Sequence, residues 1–97
     1  MHSNETITIG VLGLGHWGLN ILRNFCNHPK IRVRYICDTS EKALTRAGQL
    51  VPDKCVRVKD AAPILEDPEV DAVYIALPHN FHYDIAKLCL LNGKHVI

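Results

Sequence analysis

Gly13-Leu14-Gly15-His16-Trp17-Gly18 spaces three glycines as G-x-G-x-x-G directly after the apolar, β-branched run Ile7 to Leu12. That spacing suits one chemistry, the gathering of backbone N–H groups around a phosphate. Gly13 permits the tight turn, Gly15 lets a pyrophosphate reach the backbone, and Gly18 lets a helix pack close to the strand. The N–H groups of His16 and Trp17, opening that helix, point at the anion, and the helix dipole adds to the attraction. Asp38 follows Gly18 by 20 residues. A carboxylate there accepts hydrogen bonds from the hydroxyls of an adenosine ribose. The plain alternative is a bare tight turn, with Asp38 capping a helix. A carboxylate at this place also repels a 2′-phosphate, so Asp38 favours NAD over NADP, unless Lys42 and Arg46 fold back to offset it.

A second group is Ala76-Leu77-Pro78-His79-Asn80-Phe81-His82, between an apolar run and the helix that follows. In a parallel sheet this loop leaves the same carboxyl edge as the glycine loop. His82 is of a type that moves protons near neutral pH. At the first turn of a helix it reads as a positioning group, and His79 as a rim residue. Two histidines make no zinc site.

The elements that must hold these groups alternate along the chain. Ile7–Leu12 reads as a buried strand. From Trp17 the apolar positions Trp17, Ile21, Leu22 and Phe25 recur at helical spacing until Pro29, with Trp17 and Phe25 as core packing. Ile31 to Cys37 alternates with Arg32 and Arg34, a strand with one wetter face. Asp38-Thr39-Ser40 caps a helix over Glu41 to Leu50. Cys55 to Val58 is a short strand, and Asp60 to Glu66 a short helix. Val70 to Leu77 is a central strand covered on both faces. Phe81, Ile85, Leu88 and Cys89 mark the last helix, Gly93 ends it as a left-handed cap, and Lys94 to Ile97 begins a further strand. This β-α alternation implies a doubly wound parallel sheet with right-handed crossovers and strand order 3-2-1-4-5.

Composition excludes several classes. The 97 residues are 47% hydrophobic and 22% charged with a net charge of +1, an ordinary globular balance with no field for nucleic acid or an anionic membrane. Lys30, Arg32 and Arg34 form a solvated strand face rather than a phosphate site. Cys26, Cys37, Cys55 and Cys89 form no C-x-x-C pair and sit in apolar runs, as buried reduced thiols do. The first residues, MHSNE, lack the apolar core of a signal peptide, and no apolar run is long enough to span a bilayer. A cytoplasmic protein is expected.

Pro78, Asn80 and His82, with Asp71-Ala72-Val73 before them and Gly93-Lys94-His95-Val96 after, resemble the T-P-N-x-x-H region of the glucose-fructose oxidoreductase and inositol dehydrogenase family, Gfo/Idh/MocA. Gly15, Trp17, Gly18, Asn20, Arg23, Asn24 and Phe25 resemble its nucleotide-sugar 3-dehydrogenase branch. The resemblance covers essentially the whole chain. It implies that Gly13, Gly15, His16, Trp17 and Gly18 contact a pyrophosphate and that Asp38 with Thr39 borders the adenosine ribose. It also implies that Ala76, Leu77, Pro78, Asn80 and His82 line the path to the nicotinamide. Leu77 departs from the family's threonine, which removes a hydroxyl contact to the cofactor. On this resemblance residues 1–97 are the dinucleotide-binding domain of a larger two-domain enzyme, homo-oligomeric when complete, acting on a sugar or nucleotide sugar. The family's catalytic lysine, in a Glu-Lys-Pro motif, would follow Ile97, so none of the present residues is expected to be catalytic. A dinucleotide sensor, a structural Rossmann-like module and a methyltransferase-like site remain the alternatives.

Overall fold

The computed structural model describes residues 6–97; the polar stretch 1–5, with its reading as no signal peptide, lies outside them. Elements follow in the order β1 (Ile7–Leu12), α1 (His16–Cys26), β2 (Ile31–Cys37), α2 (Glu41–Gly48), β3 (Val56–Val58), α3 (Ala62–Glu66), β4 (Ala72–Ile75), α4 (His79–Leu91) and β5 (His95–Val96). All strand pairs are parallel, in the expected order β3-β2-β1-β4-β5. Leaving β1 the chain goes outward through β2 to β3, then crosses back to β4. The carboxyl ends of β1 and β4 therefore lie side by side at the point where the winding reverses.

Two apolar layers clamp the sheet. Ile9, Val11, Val33 and Ile36 meet Leu22 of α1 and Leu44 and Ala47 of α2 on one face. Leu12, Tyr35, Cys37, Val73 and Ile75 meet Ile64 of α3 and Cys89 of α4 on the other. Strict alternation would put Val33 and Tyr35 on the same face. They lie on opposite faces because β1 pairs Ile9 with Val33 but Gly10 with Tyr35, leaving Arg34 as an extra residue. Such a bulge reverses the facing of everything beyond it.

The bulge corrects the reading of Arg34 as part of a solvated face. Its Nε lies 2.7 Å from Asp67 Oδ2, which also accepts from the Tyr35 hydroxyl at 2.7 Å. Asp67 Oδ1 accepts the Glu69 N–H at 2.8 Å, and the buried Lys94 ammonium, 6% exposed, donates to the Asp67 carbonyl. Bonds from Tyr35, Arg34 and the Glu69 N–H hold the Asp67 carboxyl at about 2, against an ordinary 3.8. Its folded pKa is depressed, so its contribution to stability is complete above about pH 4 and is lost as pH falls towards 2. Asp67→Asn should flatten that acid limb, read as urea midpoints across the same range; an unchanged pH slope would rule out this role.

α4 forms where the sequence places a helix, with much of its apolar surface facing outward. Cys89 is buried and Ile85 half-buried, but Phe81 and Leu88 are exposed, as are Tyr83, Leu90 and Leu91. All four cysteines are free thiols; Cys37, Cys55 and Cys89 are buried and Cys26 half-buried. Burial pushes the Cys37 thiol up to about 11 and that of Cys55 to about 12, so neither is a nucleophile at neutral pH. Among the described residues no helix is long and apolar enough to cross a membrane.

Candidate functional site

At the end of β1 the backbone turns through Gly13, whose φ of +97° is a left-handed value that side chains rarely adopt. A Cβ there would lie 2.6 Å from the Ala76 carbonyl oxygen, and one on Gly18 would lie 2.1 Å from the Gly13 oxygen. These two glycines are required by the protein itself, which packs α1 onto the ends of β1 and β4. Gly15 is different. It has an ordinary φ of −71°, and a Cβ on it would meet no protein atom within 4 Å. Nothing in the fold demands a glycine at that position, whereas a ligand lying against the backbone does.

Gly15 is also the N-cap of α1, with no side-chain cap, and the first helical bond runs from Leu19 N–H to the Gly15 carbonyl. The N–H groups of His16, Trp17 and Gly18 open the helix and receive no capping side chain, as at other anion-binding helix ends. α2 is capped in the usual way, Ser40 Oγ accepting the Ala43 N–H at 3.2 Å. α1 thus keeps its donors open where a pyrophosphate would lie, and the residues present fit such a group.

Asp38 stands beside this opening. Its Oδ2 accepts the Leu14 N–H at 2.9 Å and its Oδ1 the Ser40 N–H at 2.9 Å. The carboxylate therefore fastens the glycine loop to the end of β2, a role the sequence did not reveal. Each oxygen keeps a further lone pair for an incoming hydroxyl.

A cleft of about 950 Å³ runs along this edge, at the upper end of the range for small-molecule sites. Ten of the expected residues line it: Gly13, Gly15, His16, Trp17, Gly18, Asp38, Thr39, Ala76, Leu77 and Pro78. Asn80, exposed, and His82, half-buried, lie outside the lining. Phe81 and Ile85 take their place, with Leu14, Tyr74 and Ile75 completing the wall. Helix phase is the reason, since positions 81 and 85 share a face while 80 and 82 point about 100° to either side of it. The T-P-N-x-x-H pattern has its asparagine directly after the proline; His79 stands there in this chain and Asn80 one residue later. The side chain of His79, expected at the rim, lies outside the described residues.

Trp17 corrects another expectation. It is 65% exposed on the cleft rather than packed in the core. Phe25 does pack against the core, edge-on to Tyr74 with ring centroids 5.5 Å apart. Lys42 and Arg46 line the outer side of α2 and do not fold into the cleft. A smaller cavity of about 350 Å³ opens at the opposite, amino edge of the sheet, among Cys26, Pro29, Val33 and Cys55, remote from the glycine loop.

Residues 7–97 match the model of the Gfo/Idh/MocA family, described as an oxidoreductase family with an NAD-binding Rossmann fold. Among curated proteins the chain is 37% identical over 100 residues to a glycosyl hydrolase family 109 protein of Streptomyces niveus, covering 95% of this chain. It spans only 20% of that relative's length. The fold superposes on apo scyllo-inositol dehydrogenase from Lactobacillus casei with a TM-score of 0.87 at 25% identity, over 98% of this chain and 28% of that one. A 3-ketoreductase from Actinomadura kijaniata, solved with TDP-benzene and NADP, gives a TM-score of 0.83 at 26% identity, over 95% of this chain and 29% of that one.

Proposed function

Since this chain belongs to the Gfo/Idh/MocA family of oxidoreductases and forms its NAD-binding Rossmann domain, we propose that it holds NAD for hydride exchange with a hydroxyl carbon of a sugar or nucleotide sugar. The observation that carries the reading is the pair formed by Gly15 and the uncapped start of α1. Together they leave backbone open to a ligand and N–H donors without a capping side chain at the end of β1. In this scheme the backbone of Gly13, Gly15, His16, Trp17 and Gly18 receives the pyrophosphate. Asp38 and Thr39 receive the adenosine ribose. Ala76, Leu77 and Pro78 border the nicotinamide, with Asn80 and His82 behind them on the first turn of α4.

Bound there, the nicotinamide supplies the hydride acceptor. The chain's own part is to fix that ring's position and to shield one side of it with Leu77, Pro78 and Phe81, which is catalysis by positioning. No residue of the cleft is assigned to proton transfer, and the sugar would be held by a second domain of a longer protein. The solved relatives support a sugar-like substrate, since one is a scyllo-inositol dehydrogenase with NAD(H) and scyllo-inositol bound and another a 3-ketoreductase with a TDP compound.

The chain contains a single tryptophan, and Trp17 lies exposed on the proposed pyrophosphate path. NADH absorbs where indole emits, so titrating NADH into the chain should quench Trp17 fluorescence saturably, and NAD should reverse the quenching by competition. A Trp17 signal indifferent to NADH would refute the reading.

The curated relatives' name favours a second reading, net hydrolysis of a glycoside. Hydrolysis involves no net redox change, so a nicotinamide used within it must end each turnover as it began. A dehydrogenase supplied with its sugar accumulates NADH, whereas a hydrolase releases sugar with constant absorbance from the cofactor. Measuring both signals on the longer protein decides between them.

A further inference from the structure

β3 covers only half of its neighbour. It pairs with Tyr35 to Cys37 of β2, so the first half of that strand, Ile31 to Arg34, borders the cavity of about 350 Å³ at the amino edge instead. Cys26 and Pro29 close this cavity from the end of α1, and Pro52, Lys54 and Cys55 close it from the loop before β3. The volume lies within the range of small-molecule sites, at its lower end.

The walls divide into an apolar floor and a cationic mouth. Val33 and Cys55 are buried, and Cys26 and Ile31 half-buried. Burial raises both thiols, that of Cys55 to about 12, so the floor carries no charge at neutral pH. The charged residues of the lining are Arg32, Arg34 and Lys54, all of one sign. Arg34 is already held by Asp67 at 2.7 Å and Glu69 at 3.7 Å. Arg32 and Lys54 are exposed and form no ion pair among the described residues. Asp53, which precedes Lys54 in the chain, is not part of the lining.

We propose that this cavity is a second binding site, for a small carboxylic acid with an apolar body. The body lies on Cys26, Val33 and Cys55, and the carboxylate meets Arg32 and Lys54 at the mouth. An apolar pocket with a few convergent polar groups is the usual form of a small-molecule site. The planar guanidinium of Arg32 matches a carboxylate, which accepts two parallel bonds from it. Bare phosphate has nothing to place on the floor, and a neutral molecule leaves both cations unused. The site stands at the opposite edge of the sheet from the glycine loop, so it does not depend on the dinucleotide reading.

Benzoate, benzyl alcohol and inorganic phosphate serve as probes, titrated calorimetrically into the wild-type chain and into Arg32→Gln/Lys54→Gln. Benzoate should bind saturably and more tightly than either of the others. The double variant should weaken it roughly fivefold or more. Both substituted residues are exposed and outside any ion pair, so the fold should keep its urea midpoint. Bound benzoate should slow the alkylation of Cys26 by iodoacetamide, read by peptide mass spectrometry, and leave the emission of Trp17 in the distant cleft unchanged. Benzyl alcohol bound as tightly as benzoate, or benzoate held equally well by the double variant, would overturn the role of the two cations and the proposal with it. Absence of saturable binding, or quenching of Trp17 with Cys26 unprotected, would overturn the site itself.

Discussion

Alanine at Gly18 is expected to destabilise the fold by roughly 3 kcal/mol or more and to abolish NADH binding, whereas alanine at Gly15 should act mainly on binding. The Gly18 Cβ would lie 2.1 Å from a backbone oxygen of Gly13, which has no flexible end to swing aside. Relief requires α1 to move away from β1, and that opens the layer in which Leu22 meets Val11 and Ile36. For a small domain such a loss is a large share of total stability. The Gly15 Cβ meets no protein atom, so Gly15→Ala should cost only the loss of a glycine N-cap, on the order of 1 kcal/mol or less, while NADH affinity falls roughly tenfold or more. Urea unfolding and NADH quenching, run on both variants, make the test. If Gly15→Ala bound NADH as the wild type does, the cofactor would not pass over that residue.

Asp38→Ser carries the second large effect, a fall of roughly 10- to 100-fold in NAD affinity, or about 1.5–3 kcal/mol. Exclusion of NADP should relax in the same variant. The structure adds a component that comes from the loop rather than from the ribose. Asp38 holds the N–H groups of both Leu14 and Ser40, and a serine hydroxyl is too short to reach both. Asp38→Asn keeps one side-chain oxygen without the charge, so it should fall between wild type and Asp38→Ser for NAD. For NADP it should gain from the lost repulsion. Equal NAD affinity across the three proteins would remove Asp38 from the site.

Most of this edge was legible in the sequence because its causes are local. A glycine triplet after a strand and a carboxylate at the end of the next need only the β-α period to be placed. The bulge at Arg34 was not legible, since alternation in Ile31 to Cys37 gives no sign of which residue its neighbour strand will skip. Trp17 was misplaced because apolar spacing along α1 cannot separate a side chain that packs from one that borders a cleft. At α4 the apolar Phe81 and Ile85 were read only as marking the helix, and the polar Asn80 and His82 as the site. Helix phase turns Phe81 and Ile85 to the cleft, Ile85 packing against the core as well.

The bond from Lys94 to the Asp67 carbonyl joins two segments far apart in the chain. Asp67 lies in the loop before β4, and its lysine partner comes 27 residues later. That carbonyl already accepts the Val70 N–H within its own loop at 3.1 Å. Lys94 adds a second, side-chain donor from across the sheet. The same lysine therefore ties the start of β5 to the loop before β4, at the end of the sheet opposite the glycine loop.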